Sequence, residues 1–162
     1  MKRFIVLYFL FLLLLFMLFY FPTTELSVLL NEIQNRWVLD TLNTFLEPKQ
    51  LNGTDIWINP NYKIVITQAC NGMIPILFLY ASLLAYPSGI RHKIVWMILG
   101  YVIFFVVNVA RILWVVHVTQ SGDGHGDFHW SHDIVGNVIL LCTGMGIFFA
   151  YIKTAKRSFK NL

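Results

Sequence analysis

Charged residues are scarce in this sequence, and the few present are separated along the chain by sign. Only 12% of the 162 residues are charged, whereas 57% are hydrophobic; soluble domains carry about twice that charged share. The hydrophobic residues form long blocks, which argues against a water-soluble fold and predicts a multi-pass membrane protein. The net charge of +4 does not indicate nucleic-acid binding, because the basic residues flank apolar blocks instead of forming one patch.

Cysteine is equally scarce. The two cysteines, Cys70 and Cys142, exclude a disulfide framework, and Cys142 lies inside an apolar block where pairing with Cys70 is not expected. The histidines and aspartates match no familiar zinc-binding spacing. We therefore predict neither a cofactor nor a metal ion.

Acidic residues are missing from three segments that carry most of the basic ones. All eight acids fall elsewhere, between Glu25 and Asp133, together with only three bases of the polar segments, Arg36, Lys49 and Lys63. The positive-inside rule then places both termini in the cytoplasm and the acid-bearing segments outside. The acid-free segments carry Lys2, Arg3, Arg91, Lys93, Lys153, Lys156, Arg157 and Lys160.

The apolar blocks predict four transmembrane helices in a single domain that covers residues 1–162. No small-residue cleavage site follows the first block, so we interpret it as a retained helix instead of a signal peptide. The fold class is an all-α polytopic membrane protein with an extracytoplasmic amphipathic helix and a small β-hairpin. The predicted spans are residues 4–21, 72–86, 94–118 and 134–152.

Two outer elements precede the second span. Residues 24–46 have apolar residues at helical spacing with charged residues between them, which is typical of a helix on the membrane surface or packed against the bundle. Residues 51–68 contain two turn signals and alternating apolar residues, which predict a hairpin. The hairpin would hold Cys70 at the membrane face.

Three residues from separate parts of the chain are predicted to converge near the outer face. Cys70 starts the second span, His132 starts the fourth, and Arg111 lies roughly 10 Å below the outer end of the third, at about 1.5 Å per residue. A buried guanidinium costs at least about 2.5 kcal/mol in a membrane, so it faces a polar site by default. Asn108 lies one turn earlier on the same face and could orient it.

These residue types fit nucleophilic catalysis. A cysteine thiol beside a cation loses its proton more readily, and the thiolate is the reactive form. His132 could accept the thiol proton and later protonate a leaving amine. Arg111 could stabilise an oxyanion or bind an acidic substrate group. His129 is an alternative for the histidine role.

Three short blocks resemble the motifs of the exosortase/archaeosortase family: residues 69–72 around Cys70, 108–112 around Arg111, and 132–136 around His132. The resemblance covers about residues 50–145 and is strongest for the compact, exosortase H-like branch. It implies a membrane cysteine transpeptidase, with Cys70, Arg111 and His132 as catalytic residues. The supporting positions in or near these blocks are Asn71, Gly72, Asn108, Asp133 and His129.

The resemblance also implies the substrates, which are exported proteins with a C-terminal sorting tail. Such a tail has a short motif, a transmembrane helix and a basic cluster. The resemblance implies that the enzyme meets it within the lipid of a bacterial inner membrane, with the active site on the outer face. Cleavage would proceed through an acyl-enzyme.

Two other functions remain open from the residues alone. The loop of residues 123–133 alternates histidine and aspartate and could serve a metal-dependent membrane hydrolase, through His125, His129 and His132 with Asp127 or Asp133. Alternatively, the chain could be a non-enzymatic subunit of an envelope assembly, in which Arg111 makes a contact between helices.

Overall fold

The computed structural model describes residues 2–22, 24–121 and 135–160, with side chains through residue 155. It confirms a mostly helical chain that carries a small antiparallel sheet. In chain order the elements are α1 Lys2–Phe19, α2 Glu25–Asn43, β1 Leu51–Asn52, β2 Asp55–Asn59, β3 Tyr62–Val65, a 3₁₀ helix Gln68–Cys70, α3 Met73–Ala85, α4 Ile90–Ser121 and α5 Gly136–Lys160.

Three of the helices are long and apolar enough to cross a membrane: α1, α4 and the Gly136–Ala155 part of α5. The predicted span at 72–86 is also a helix, but α3 has only 13 residues. At about 1.5 Å per residue it is roughly 20 Å long, against about 30 Å for the hydrocarbon core. The count of four spans therefore stays a prediction.

Both ends of α3 have a local cause. Gly72 precedes the helix with φ of 79°, a left-handed conformation that glycine adopts without a steric penalty. Tyr86 follows the helix in an extended conformation, with ψ of 135°, because Pro87 disfavours a helical residue before it. The apolar residues that predicted the span at 72–86 stop at the same two places.

The short helix α3 is enclosed by the rest of the bundle. It packs against α1, α4 and α5, so the protein covers most of its surface. By contrast, only Leu15 is buried in α1, which leaves that helix largely to lipid. The buried side chains of α3 are Ile76, Leu77, Leu79, Ala81, Leu83 and Ala85.

One end of the bundle is held together around Tyr151, whose side chain is fully buried. Its hydroxyl contacts the Ser88 hydroxyl and donates to the Leu83 carbonyl oxygen at 3.2 Å. The His92 ring stacks on the Tyr151 ring at 4.8 Å between centroids. These contacts join the end of α3, the start of α4 and the later part of α5.

The same end carries the described basic residues of the acid-free segments. Phe4 of α1 stacks on Phe148 of α5, at 6.2 Å between ring centroids. The chain start, the α3–α4 turn and the later part of α5 therefore lie at one end, and the sheet lies at the other. The sheet end holds the described acidic residues Glu25, Glu32, Asp40, Glu47 and Asp55.

The predicted hairpin is confirmed as β2 and β3, to which β1 adds a short third strand in the order β1-β2-β3. Gly53 makes the first turn with φ of 62°. Ile56, Ile64 and Ile66 are buried, and they pack with Val109, Ile112, Val115 and Val116 of α4. The sheet is thereby fixed on the last turns of α4.

The amphipathic helix α2 buries polar side chains in its first half and apolar ones in its second. Ser27, Asn31 and Gln34 face the protein, as do Val38 and Leu42, whereas Leu29 and Trp37 are more than half exposed. An apolar stripe that faces away from the protein fits lipid at the membrane interface. The exposed stripe consists of Leu26, Leu29, Ile33 and Trp37.

We expect the two sides of α2 to differ in their surroundings. A nitroxide label at Trp37 in lipid nanodiscs should be relaxed mainly by oxygen, which concentrates in lipid. A label at the exposed Glu32 of the same helix, which lies about 140° around the helix axis from Trp37 at 3.6 residues per turn, should be relaxed mainly by a water-soluble nickel chelate. Equal nickel accessibility at both positions would contradict a lipid-facing stripe.

Candidate active site

Cys70 ends the 3₁₀ helix that joins the sheet to α3. Its amide N–H donates to the Thr67 carbonyl oxygen at 2.9 Å, and its Sγ lies 3.7 Å from the Thr67 hydroxyl oxygen. The side chain is 9% exposed. The thiol is thus held in a tight turn beside the sheet instead of on a flexible loop.

Asn71 and Gly72 turn the chain from Cys70 directly into α3. The Asn71 side-chain oxygen accepts from the Met73 amide at 2.8 Å, which satisfies a donor at the start of the helix. A Cβ atom on Gly72 would lie 3.1 Å from Asn108 Cγ. Gly72 is therefore required both by its φ and by the approach of Asn108.

Asn108 connects Cys70 with Arg111. Its Nδ2 donates to the Cys70 carbonyl oxygen at 2.9 Å, and its Oδ1 lies 3.5 Å from Arg111 Nη1. The side chain is 1% exposed. A single buried carboxamide therefore ties the thiol-bearing turn to the guanidinium one helical turn away.

Arg111 is 5% exposed and reaches from α4 to the start of α5. Its Nη2 lies 3.5 Å from Asn137 Oδ1. Gly136 lies against the same side chain, since a Cβ atom there would overlap Nε and would lie 3.1 Å from Cζ. The close approach of α5 to the guanidinium thus depends on glycine at 136.

Arg111 and Cys70 line the same cavity, which has a volume of about 220 Å³. The cavity lies between the strand β3 and the later part of α4. Apart from Thr67, Cys70 and Arg111, its described walls are aliphatic. A substrate group in this cavity would meet a thiol and a cation on an otherwise apolar surface.

Two carboxamide side chains of α2 form hydrogen bonds with Asn71. Its Nδ2 donates to Asn31 Oδ1 at 3.2 Å, and its carbonyl oxygen accepts from Gln34 Nε2 at 3.0 Å. Gln34 Oε1 in turn accepts from the Tyr101 hydroxyl at 2.6 Å. This chain of hydrogen bonds connects α2 and α4 with the residue after Cys70.

Asn31, Gln34, Tyr101 and Asn137 were not among the sequence-predicted site residues. Helical spacing directed attention to the apolar residues of α2, although Asn31 and Gln34 are buried as well. The spacing of Asn31 and Gln34, three residues apart, was the available signal. Asn137 directly follows the block that ends at Gly136, and that adjacency was its only signal.

The predicted residues His132, Asp133 and His129 lie outside the described residues, as do His125 and Asp127. Their roles stay predictions. Within the described ranges, no group of three or more histidine, cysteine, aspartate or glutamate side chains could hold a metal ion. The metal hypothesis concerns the undescribed loop and stays untested.

Long apolar helices, a thiol in a rigid turn and a buried arginine in one cavity define a multi-pass membrane protein with a candidate nucleophilic site. The family model for the transmembrane exosortases matches residues 2–150, and the chain belongs to this family. The family consists in general of membrane protein-sorting transpeptidases that use cysteine. Neither a curated protein nor a solved structure matches the chain.

We expect Gly136→Ala to destabilise the protein. Alanine favours a helix over glycine by about 0.5–1 kcal/mol, but the added methyl would displace the Arg111 side chain and cost about 1–3 kcal/mol. Gly146→Ala in the same helix is the control, since its Cβ atom would meet nothing within 4 Å. Thermal unfolding in detergent should show a lower midpoint for Gly136→Ala only. A rise for both variants would contradict the contact.

Proposed function

We propose that this protein is a cysteine transpeptidase that removes the C-terminal sorting tails of exported proteins, with Cys70 as the nucleophile. The observation that carries the proposal is the shared cavity, which Cys70 and the buried Arg111 both line and at which Asn108 joins them. Membership of the exosortase family supports the reaction class.

The reaction begins when Cys70 Sγ attacks the carbonyl carbon of the scissile peptide bond. His132 accepts the thiol proton, and Arg111 stabilises the negative charge that develops on the carbonyl oxygen. The carbon–nitrogen bond then breaks, and His132 returns the proton to the leaving amine. The products are the released tail and a thioester on Cys70.

The second half of the reaction resolves the thioester. The amine of an acceptor attacks the same carbonyl carbon, the carbon–sulfur bond breaks, and Cys70 regains its proton through His132. Water can replace the amine, in which case the reaction is a hydrolysis. Asn108, Asn71 and Gly72 position the two catalytic side chains without reacting, and we assign Asp133 or His129 to the orientation of His132.

Charge supports the orientation of the site. The end of the bundle opposite the sheet carries the basic residues of the acid-free segments, so we assign it to the cytoplasm. Cys70 then acts at the outer face of a bacterial inner membrane. The substrate helix would lie beside the bundle in the lipid, with its basic cluster at the cytoplasmic end.

One observation favours a second candidate function. Arg111 joins α4 to α5 through Asn137, and a purely structural arginine would make the same contact. A non-enzymatic subunit of an envelope assembly would need this contact but not the thiol. Substitution of Cys70 therefore separates the two functions.

We expect Cys70→Ala to abolish tail removal, since loss of a nucleophile costs at least about a thousandfold in rate. The measurement is co-expression with a protein from the same genome that ends in a motif, a helix and a basic cluster, followed by immunoblot of its size. Cys142→Ala is the matched control, because that cysteine is exposed on α5 and should leave processing intact.

Arg111→Lys keeps the charge but loses the planar group that reaches Asn108 and Asn137, so processing should fall by at least about tenfold.

Processing that survives Cys70→Ala would contradict the cysteine mechanism. If chelators stopped the processing that survives, a metal-dependent hydrolysis through the histidines of residues 123–133 would become the favoured mechanism.

A further inference from the structure

The strand β3 lies at the edge of the sheet nearest the site. The sheet order β1-β2-β3 gives β3 one strand neighbour among the described residues. Ile64 pairs with Ile56, and the Ile66 amide donates to the Thr54 carbonyl oxygen at 2.8 Å. Because backbone groups alternate in direction along an antiparallel strand, the N–H and C=O of Val65 point away from β2.

That outward side of β3 forms one wall of the cavity of about 220 Å³. The strand wall consists of Ile64, Val65, Ile66 and Thr67, and the opposite wall consists of Arg111, Ile112, Val115 and Val116 of α4. Cys70 lies where β3 and the 3₁₀ helix lead into the bundle. The cavity is thus a groove that runs beside β3 and ends at the thiol and the guanidinium.

We propose that the substrate binds in this groove as an added β-strand, in register with β3, and brings its scissile carbonyl to Cys70. The occupant is the extended peptide segment on the amino-terminal side of the scissile bond. An exposed strand edge recognises such peptides through main-chain hydrogen bonds, and a pocket beside it selects alternate side chains. The inference rests on the proposed function and adds how the substrate is held.

The direction of the added strand follows from the direction of β3 and from the position of the membrane helix in the substrate. β3 runs from Tyr62 toward Cys70 and the bundle. A substrate with a carboxy-terminal membrane helix runs from outside toward the same bundle. The substrate strand is therefore parallel to β3, with its outward end beside Ile64 and Val116.

The lining of the groove defines the preferred side chain. Ile112, Val115 and Val116 face Ile64 and Ile66 across it, and these five residues are at least 95% buried. A closed apolar cavity of about 150 Å³ is large enough for a benzene ring. The groove thus accepts one large aliphatic or aromatic side chain from the amino-terminal side of the scissile bond.

The main-chain part of the inference is tested by proline at Val65. Val65→Pro removes the N–H that points away from β2, while Ile64 and Ile66 keep their bonds to β2. Val65→Thr is the matched control, because it keeps the N–H and the branched shape at a side chain that is 46% exposed. In the co-expression assay, processing should fall by at least about tenfold for Val65→Pro and stay near wild type for Val65→Thr.

The apolar part of the groove is tested by a substitution that fills it with a larger side chain. Val116→Phe should reduce processing at least about tenfold, whereas Val106→Phe, at a position of the same helix that is 60% exposed, should not. Equal processing by Val116→Phe and Val106→Phe would argue against an apolar subsite in the groove.

A cross-link gives a readout that needs no cleavage. In the Cys70→Ala background, a benzophenone amino acid at Val65 should cross-link to the co-expressed sorting-tail protein. The same group at Trp57 of β2, which is 39% exposed, should not. The cross-link tests whether the substrate lies beside β3 even if Val65→Pro fails to fold.

The two proposals fail in different ways. Cleavage that persists in Cys70→Ala overturns the proposed function and the inference together. Cleavage that requires Cys70 but is unchanged in folded Val65→Pro, with no cross-link from Val65, overturns the added strand alone. Loss of cleavage in Val65→Pro with a cross-link from Val65 supports it.

Discussion

The rest of the site depends on the contacts that the Asn108 carboxamide makes with Cys70 and with Arg111. The carboxamide holds the Cys70 carbonyl oxygen at 2.9 Å on one side and lies 3.5 Å from the guanidinium of Arg111 on the other. Both groups are buried, where a polar group without a partner costs about 1–3 kcal/mol. The carboxamide therefore satisfies them and at the same time fixes the sheet–α3 junction against α4.

Around this link, each element of the site is positioned by a different neighbour. The sheet holds the turn before Cys70, the carboxamides of α2 hold the residue after it, and the start of α5 holds Arg111. The catalytic candidates thus depend on elements far apart in the sequence. Such a site is assembled by the fold as a whole, because α2, the sheet and the start of α5 each hold a different part of it.

Sequence reasoning predicted the elements whose signals are local. The long apolar blocks predicted α1, α4 and α5, the turn signals around Gly53 and Asn59 predicted the hairpin, and the three motif blocks led to the family that is confirmed. The bounds of α3 agree with the predicted 72–86 to within one residue at each end, because Gly72 and Pro87 are local signals for the start and the end of a helix.

The polar partners of the site were harder to predict for a physical reason. The polar side chains of an amphipathic helix are ordinarily assigned to water and its apolar ones to the protein or to lipid. In α2 that rule holds for the buried Val38 and Leu42 but fails for Asn31 and Gln34, which are buried as well, so these two were overlooked. Contacts such as Arg111 with Asn137 join residues 26 positions apart, and no local pattern indicates them.

The length of α3 also determines what must surround the turn that carries Cys70. The helix has 13 residues and is about 20 Å long, against about 30 Å for the hydrocarbon core of a bilayer. Irregular backbone at membrane depth is tolerated only where protein covers it, because lipid offers no hydrogen-bond partners. Since α1, α4 and α5 pack around α3, the longer helices shield the backbone beyond the ends of the short one.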